Sequence, residues 1–181
     1  VLANIYMHNV LTLWFQYIIA KECKGECFLV VYADDFIAGF QYPWEAERFY
    51  EQLRSRMVKF GLELEENKSR IVESGRYLAS LKAKRGESTR LGTFDFLGFT
   101  FYCGRTTKGN PWIMPKTSSK KFRQKVKEIK IWLYNNKEQK LGKLMYMLNV
   151  KLVGHYRYYG ISFNSRMISN YKQQVRELLY K

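Results

Sequence analysis

The chain has 181 residues, 46% of them hydrophobic, and 31 Lys and Arg against 16 Asp and Glu give it a net charge of +15. That length can bury a real core, in one large domain or two small ones, while no run approaches the roughly 20 consecutive apolar residues of a membrane span. The apolar start is broken by Asn4, His8, Asn9, Thr12 and Gln16 and lacks the frame of a signal peptide, and three cysteines are too few, and odd in number, for a disulfide framework.

Apolar residues at Leu2, Ile5, Tyr6, Val10, Leu13, Phe15 and Ile18 predict a buried helix over residues 2–18. The chain opens on Val1 inside that pattern, as expected of a fragment whose upstream half lies elsewhere. Lys24 and Gly25 break the helix, and Cys23 and Cys27 have neither a second pair nor a nearby histidine, so no zinc site is expected there. Phe28 to Tyr32 and Phe36 to Phe40 read as strands joined by a tight acidic turn. Pro43, Glu45 and Glu47 suit a helix start, after which Ala46, Phe49, Leu53 and Met57 form an apolar face that Gly61 ends. Leu62 and Leu64 alternate with acids and lead to Ile71 and Val72, which suggests a strand pair with a turn at Glu66 to Lys68.

Residues 82–93 read as an exposed loop, Phe94 to Tyr102 as a strand, and Trp112 to Met114 as a second strand after the turn at Gly109 to Pro111. Three helices follow. The first has Thr117 and Ser118 as N-cap candidates, an apolar stripe of Phe122, Val126, Ile129 and Leu133, and a separate cationic row of Lys120, Arg123, Lys127 and Lys130. The others span about residues 139–152 and 165–179, separated by an aromatic turn at Tyr156 to Gly160.

The charge is lopsided. Residues 1–81 hold 9 basic against 11 acidic side chains, residues 82–111 hold 6 against 2, and residues 112–181 hold 16 against 3. A C-terminal positive field interleaved with Tyr146, Tyr156, Tyr158 and Tyr159 favours a polyanion such as nucleic acid over a merely solvated surface.

Asp34 and Asp35 carry the chemistry. Adjacent carboxylates raise each other's pKa unless a cation neutralises them, and hard oxygen ligands suit Mg²⁺. Two such ions can activate an attacking oxygen and stabilise a leaving one in phosphoryl transfer. The pair alone also fits an ordinary acidic hairpin turn.

Tyr32-Ala33-Asp34-Asp35 resembles the YADD signature of reverse transcriptases, and the flanking blocks resemble the group II intron reverse transcriptases, or maturases. Leu2 to His8 resembles the helix before the YADD hairpin, Gly61 to Leu64 with Asn67 to Ile71 the next block, and Phe94 to Phe101 the hairpin that grips the primer terminus. Leu152-Val153-Gly154-His155-Tyr156-Arg157-Tyr158-Tyr159-Gly160 resembles the maturase thumb, or domain X. The resemblance implies an α+β fold: the C-terminal part of a polymerase palm over residues 1–111, with antiparallel strands and packing helices, then a truncated three-helix basic thumb over residues 112–181. It implies an RNA-directed DNA polymerase that copies RNA into cDNA with two Mg²⁺ ions.

Under the same resemblance Asp34 and Asp35 bind metal, and Lys68 assists the leaving pyrophosphate. Tyr32, Ala33, Gly98 and Phe99 lie near primer and nucleotide, while Lys120, Arg123, Lys127, Lys130, His155 and Arg157 contact nucleic acid. A solvated turn lysine explains Lys68 equally well and a plain hairpin glycine explains Gly98 nearly as well, while for Tyr156, Tyr158 and Tyr159 packing in the thumb core is favoured over stacking on bases. The expected partners are intron RNA, an RNA template, a DNA primer and deoxynucleotides, in a bacterial cytoplasm or an organelle. The family's fingers and a further palm Asp would precede Val1, so the fragment by itself is expected to be inactive. Alternatives are a protein that is mainly an RNA-binding splicing factor, and a retron-like or other bacterial reverse transcriptase.

Overall fold

The structure, a computed structural model, describes residues 2–65, 69–86 and 91–180. It is an α+β protein with a two-stranded and a three-stranded antiparallel sheet, and the chain forms two compact units, Val1–Glu73 and Ser74–Lys181. Among the described residues no helix is long and apolar enough to cross a membrane.

The first unit begins with α1 (Leu2–Met7), which runs through π-helical turns at His8–Leu13 and Phe15–Ile19 into α2 (Ala20–Glu22). The expected buried helix is helical but only one stripe of it is buried. Val10, Leu11, Trp14, Phe15 and Ile19 face the core, whereas Leu2 and Ile5 are 83% and 54% exposed. Spacings of four and five in that stripe follow the wider π-helical repeat, which rotates Ile18 outward.

Strands β1 (Cys27–Tyr32) and β2 (Asp35–Phe40) then pair from Cys27↔Phe40 to Tyr32↔Asp35. Helix α3 (Pro43–Lys59) opens with Pro at its first turn and buries Phe49, Leu53 and Met57. Phe49 joins α3 to both neighbours, with its ring 5.7 Å from Trp14, 5.6 Å from Phe15 and 5.1 Å from Phe40. Each such pair contributes about 0.5–1.5 kcal/mol beyond its burial. In the first turn of α3, buried Glu45 accepts the backbone N–H groups of Lys24 at 2.6 Å and Gly25 at 3.2 Å, which pins the loop leading into β1.

Gly61, at φ +67, ends the helix as expected. Residues 62–65 and 69–75 contain no strand, which corrects the expected strand pair. The alternation is real, because Leu62 and Leu64 pack on the core while Glu63 and Glu65 face water, but an inward-outward pattern makes a strand only where a ladder partner exists.

In the second unit α4 (Arg76–Lys84) replaces the first part of the expected loop. Its helix formers bury Ala79, and lysines in the last turn suit the helix dipole. Leu91 is buried as well.

Phe94 to Tyr102 is a hairpin rather than one strand. Strands β3 (Phe94–Phe96) and β4 (Phe99–Arg105) pair around a two-residue turn, and β4 continues the sheet into β5 (Pro111–Thr117), a longer strand than expected. Leu97 and Gly98 have φ of +49 and +79, the paired positive angles of the hairpin turn whose twist matches the strands.

Ser118 caps α5 (Ser119–Asn135), its Oγ accepting the N–H of Lys121 at 3.3 Å. Helix α6 (Leu141–Tyr159) absorbs the expected aromatic turn and stops at Gly160. Leu148, Leu152, His155 and Tyr159 continue a single helical stripe, so burial of His155 and Tyr159 carries the helix onward. With α7 (Ser165–Leu179) these helices enclose Ile129, Leu148, Tyr171 and Val175.

Candidate functional site

In the first unit the register of β1 and β2 leaves Ala33 and Asp34 as a two-residue turn and begins β2 at Asp35. Ala33 has φ +54, a left-handed conformation that costs a non-glycine residue about 1–2 kcal/mol. The tight turn therefore places both acidic residues at the tip, at a steric cost concentrated on one alanine.

Tyr32, Ala33, Asp34 and Asp35 are all exposed. Among the described residues neither carboxylate has a protein hydrogen-bond or ion-pair partner. Two exposed, acceptor-only carboxyl groups without a protein counter-ion suit a hard divalent cation. By themselves they would supply only part of a coordination sphere, since the described residues bring no third Asp, Glu, His or Cys to the pair. Lys68 lies outside the described residues.

In the second unit the β3–β4 turn is tied down through both of its carbonyls. Tyr158 Oη donates to Leu97 O at 2.9 Å, and the Ser118 N–H donates to Gly98 O at 2.9 Å. A Cβ on Gly98 would stand 3.0 Å from Tyr159 Oη and would also suffer the positive φ, so the turn requires glycine on two grounds. Phe99 is buried against Tyr158 and Tyr159, with centroids 5.9 and 5.2 Å away. Gly98 and Phe99 are thus placed by the helix that carries the aromatic signature.

Lys120, Arg123, Lys127 and Lys130 are all exposed on α5, and Arg157 is exposed on α6. His155 is placed differently. It is 8% exposed and stacks on Tyr171 at 3.7 Å, and its Nδ1 is buried without a hydrogen-bond partner. Burial, reinforced by Lys125, pushes its pKa down to about 4, so the ring is neutral near pH 7. A neutral imidazole offers nucleic acid a hydrogen bond rather than a charge.

Three side chains that position these groups escaped the sequence. Buried Asn164 accepts the Thr117 N–H and donates to Thr117 Oγ1, both at 2.8 Å, and donates to Tyr159 O at 2.7 Å. It joins the end of β5 to the end of α6. Tyr171 supplies the ring under His155, and Glu45 anchors the approach to β1. Only the acidic residue at the start of α3 left a signal, and that signal pointed to the helix dipole.

A protein-family model described as reverse transcriptase (RNA-dependent DNA polymerase) matches residues 1–101, more than half of the chain. No curated protein and no solved structure matches the chain.

Proposed function

The chain belongs to the reverse transcriptase family, and from that premise we propose that it forms palm and thumb parts of a group II intron reverse transcriptase that also binds its intron RNA. Residues 1–111 carry the palm part and residues 112–181 the thumb. The observation that carries the proposal is the exposed Asp34 and Asp35 pair at the tip of a strained hairpin, inside the region matched to the family.

The reaction joins a primer 3′-hydroxyl to the α-phosphorus of a deoxynucleotide: the new O–P bond forms, the bond to the β-phosphate oxygen breaks, and pyrophosphate leaves. Asp34 and Asp35 would hold the divalent ions, and their hard oxygen donors suit Mg²⁺. When bound, such ions would supply activation of the attacking oxygen and stabilisation of charge on the leaving one. Tyr32 and Ala33 flank the reacting ends, and Lys68 assists departure of pyrophosphate. The turn at Gly98 and Phe99 steadies the primer, and the α5 cation row with Arg157 neutralises backbone phosphates.

In a preparation competent for primer extension, Asp34→Ala is expected to abolish cDNA synthesis and leave RNA affinity unchanged. Substantial residual synthesis refutes the assignment. The basicity of residues 112–181, with 16 Lys and Arg against 3 acids, favours a second role in holding folded intron RNA. That role predicts that the same variant still promotes splicing.

A further inference from the structure

A two-residue turn with positive φ at both positions matches the twist of its strands without side-chain support. In the β3–β4 turn the Ser118 N–H already holds Gly98 O at 2.9 Å. Tyr158 adds a further constraint, its Oη donating to Leu97 O at 2.9 Å from 61 residues along the chain.

The aim of that hydroxyl is set by what surrounds the ring. Tyr158 stacks on Phe99 with centroids 5.9 Å apart and planes at 16°, and it meets Tyr159 edge-on at 4.7 Å. Tyr159 is buried, and Asn164 donates to its carbonyl at 2.7 Å. Tyr158 itself stays 53% exposed, so removing its ring from water explains little of its placement.

The Leu97 carbonyl belongs to the same peptide as the Gly98 N–H, and in a trans peptide these two groups point in opposite directions. Holding the carbonyl on Tyr158 therefore turns the Gly98 N–H away from the phenol. Among the described residues that N–H has no protein acceptor. It is an oriented main-chain donor, of the kind that meets phosphate and sugar oxygens in nucleic-acid complexes.

We infer that Tyr158 is a positioning residue for the primer: its hydroxyl sets the plane of the Leu97–Gly98 peptide, and that plane sets how the Gly98 N–H meets the primer backbone. The inference rests on the reading of this turn as the part that steadies the primer. Tyr158 acts through the turn and touches no base, and its ring is the arm that carries the hydroxyl.

The test measures single-turnover nucleotide addition per active site, and separately the affinity for a primer–template duplex, in the preparation competent for primer extension. Tyr158→Phe keeps the ring on Phe99 and deletes only the hydroxyl. It is expected to slow nucleotide addition about tenfold, because a slightly misplaced reacting end is costly in rate, and to leave duplex affinity unchanged. A role confined to stability would move the urea midpoint and leave the rate per active site as in wild type. An unchanged rate per active site, or a loss of duplex affinity by the same factor as the rate, overturns the inference.

Gly98→Asn tests the underlying reading separately. Asn tolerates a positive φ, while a Cβ at this position stands 3.0 Å from Tyr159 Oη and displaces the turn. Slowed addition in both variants upholds both readings. Slowed addition in Gly98→Asn with a normal rate in Tyr158→Phe keeps the primer turn and overturns the part assigned to Tyr158. Normal addition in folded Gly98→Asn overturns the reading of the turn and the inference with it.

Discussion

Ala33 and His155 show how single side chains carry a cost for a position. At φ +54, Ala33 sits in a backbone region where glycine is unstrained. Ala33→Gly is expected to raise the stability of the first unit by about 1 kcal/mol in urea unfolding. His155 has the opposite character, a group whose charge is excluded by burial. Its folded pKa of about 4 lies below the unfolded value of 6.5, so as pH falls below 6.5 the unfolded chain takes up the proton first. Stability of the second unit should fall between pH 6.5 and 4 by on the order of 2 to 3 kcal/mol. His155→Phe keeps a ring on Tyr171 and should remove this slope, as urea midpoints measured at pH 7 and pH 4.5 will report.

At the level of elements, two hairpins with different turns do different work. The β1–β2 turn leaves its carboxylates free at the tip, whereas the β3–β4 turn is fastened by Tyr158 and Ser118 through its carbonyls. That fastening depends on the seating of the C-terminal end of α6 against the end of β5, which Asn164 sets with three hydrogen bonds. Asn164 is fully buried, so Asn164→Ala leaves the Thr117 N–H and the Tyr159 carbonyl without their side-chain partner. A loss of about 3 kcal/mol is expected in thermal or urea unfolding. Thr117→Val removes a single bond of the network and should cost about 1 kcal/mol.

For the whole molecule the governing fact is the segregation of charge: acids outnumber bases over residues 1–81, and almost the entire excess of +15 comes from residues 112–181. The acidic turn and the basic helices belong to different compact units. Binding that relies on the basic helices releases counterions, so RNA affinity should fall with salt at a log-log slope of about −0.7 per phosphate neutralised. Replacing Lys120, Arg123, Lys127 and Lys130 by Gln should reduce that slope by about 3, measured by fluorescence anisotropy across a salt series. An unchanged slope would remove the α5 row from the RNA contact.

Local pattern alone determined the β1–β2 hairpin, the span of α3, the Ser118 cap, α7 and the segregation of charge. Each depends on neighbours a few residues apart, through side-chain period, turn chemistry or capping. The acidic pair was legible as a metal-binding candidate for the same reason, and its family context came from ordered blocks along the chain. Tertiary structure decided the rest. Leu62 and Leu64 alternate like a strand but have no ladder partner, and the aromatic residues after Leu152 stay helical because His155 and Tyr159 gain burial by doing so. His155, a nucleic-acid contact in the sequence reading, is a neutral, buried ring, because desolvation is set by Tyr171 and Tyr159 packed around it. Local sequence encodes the preference of each segment; whether a strand finds its ladder, how far a helix runs, and the burial, partners and charge state of a side chain belong to residues distant in the chain, which only folding brings together.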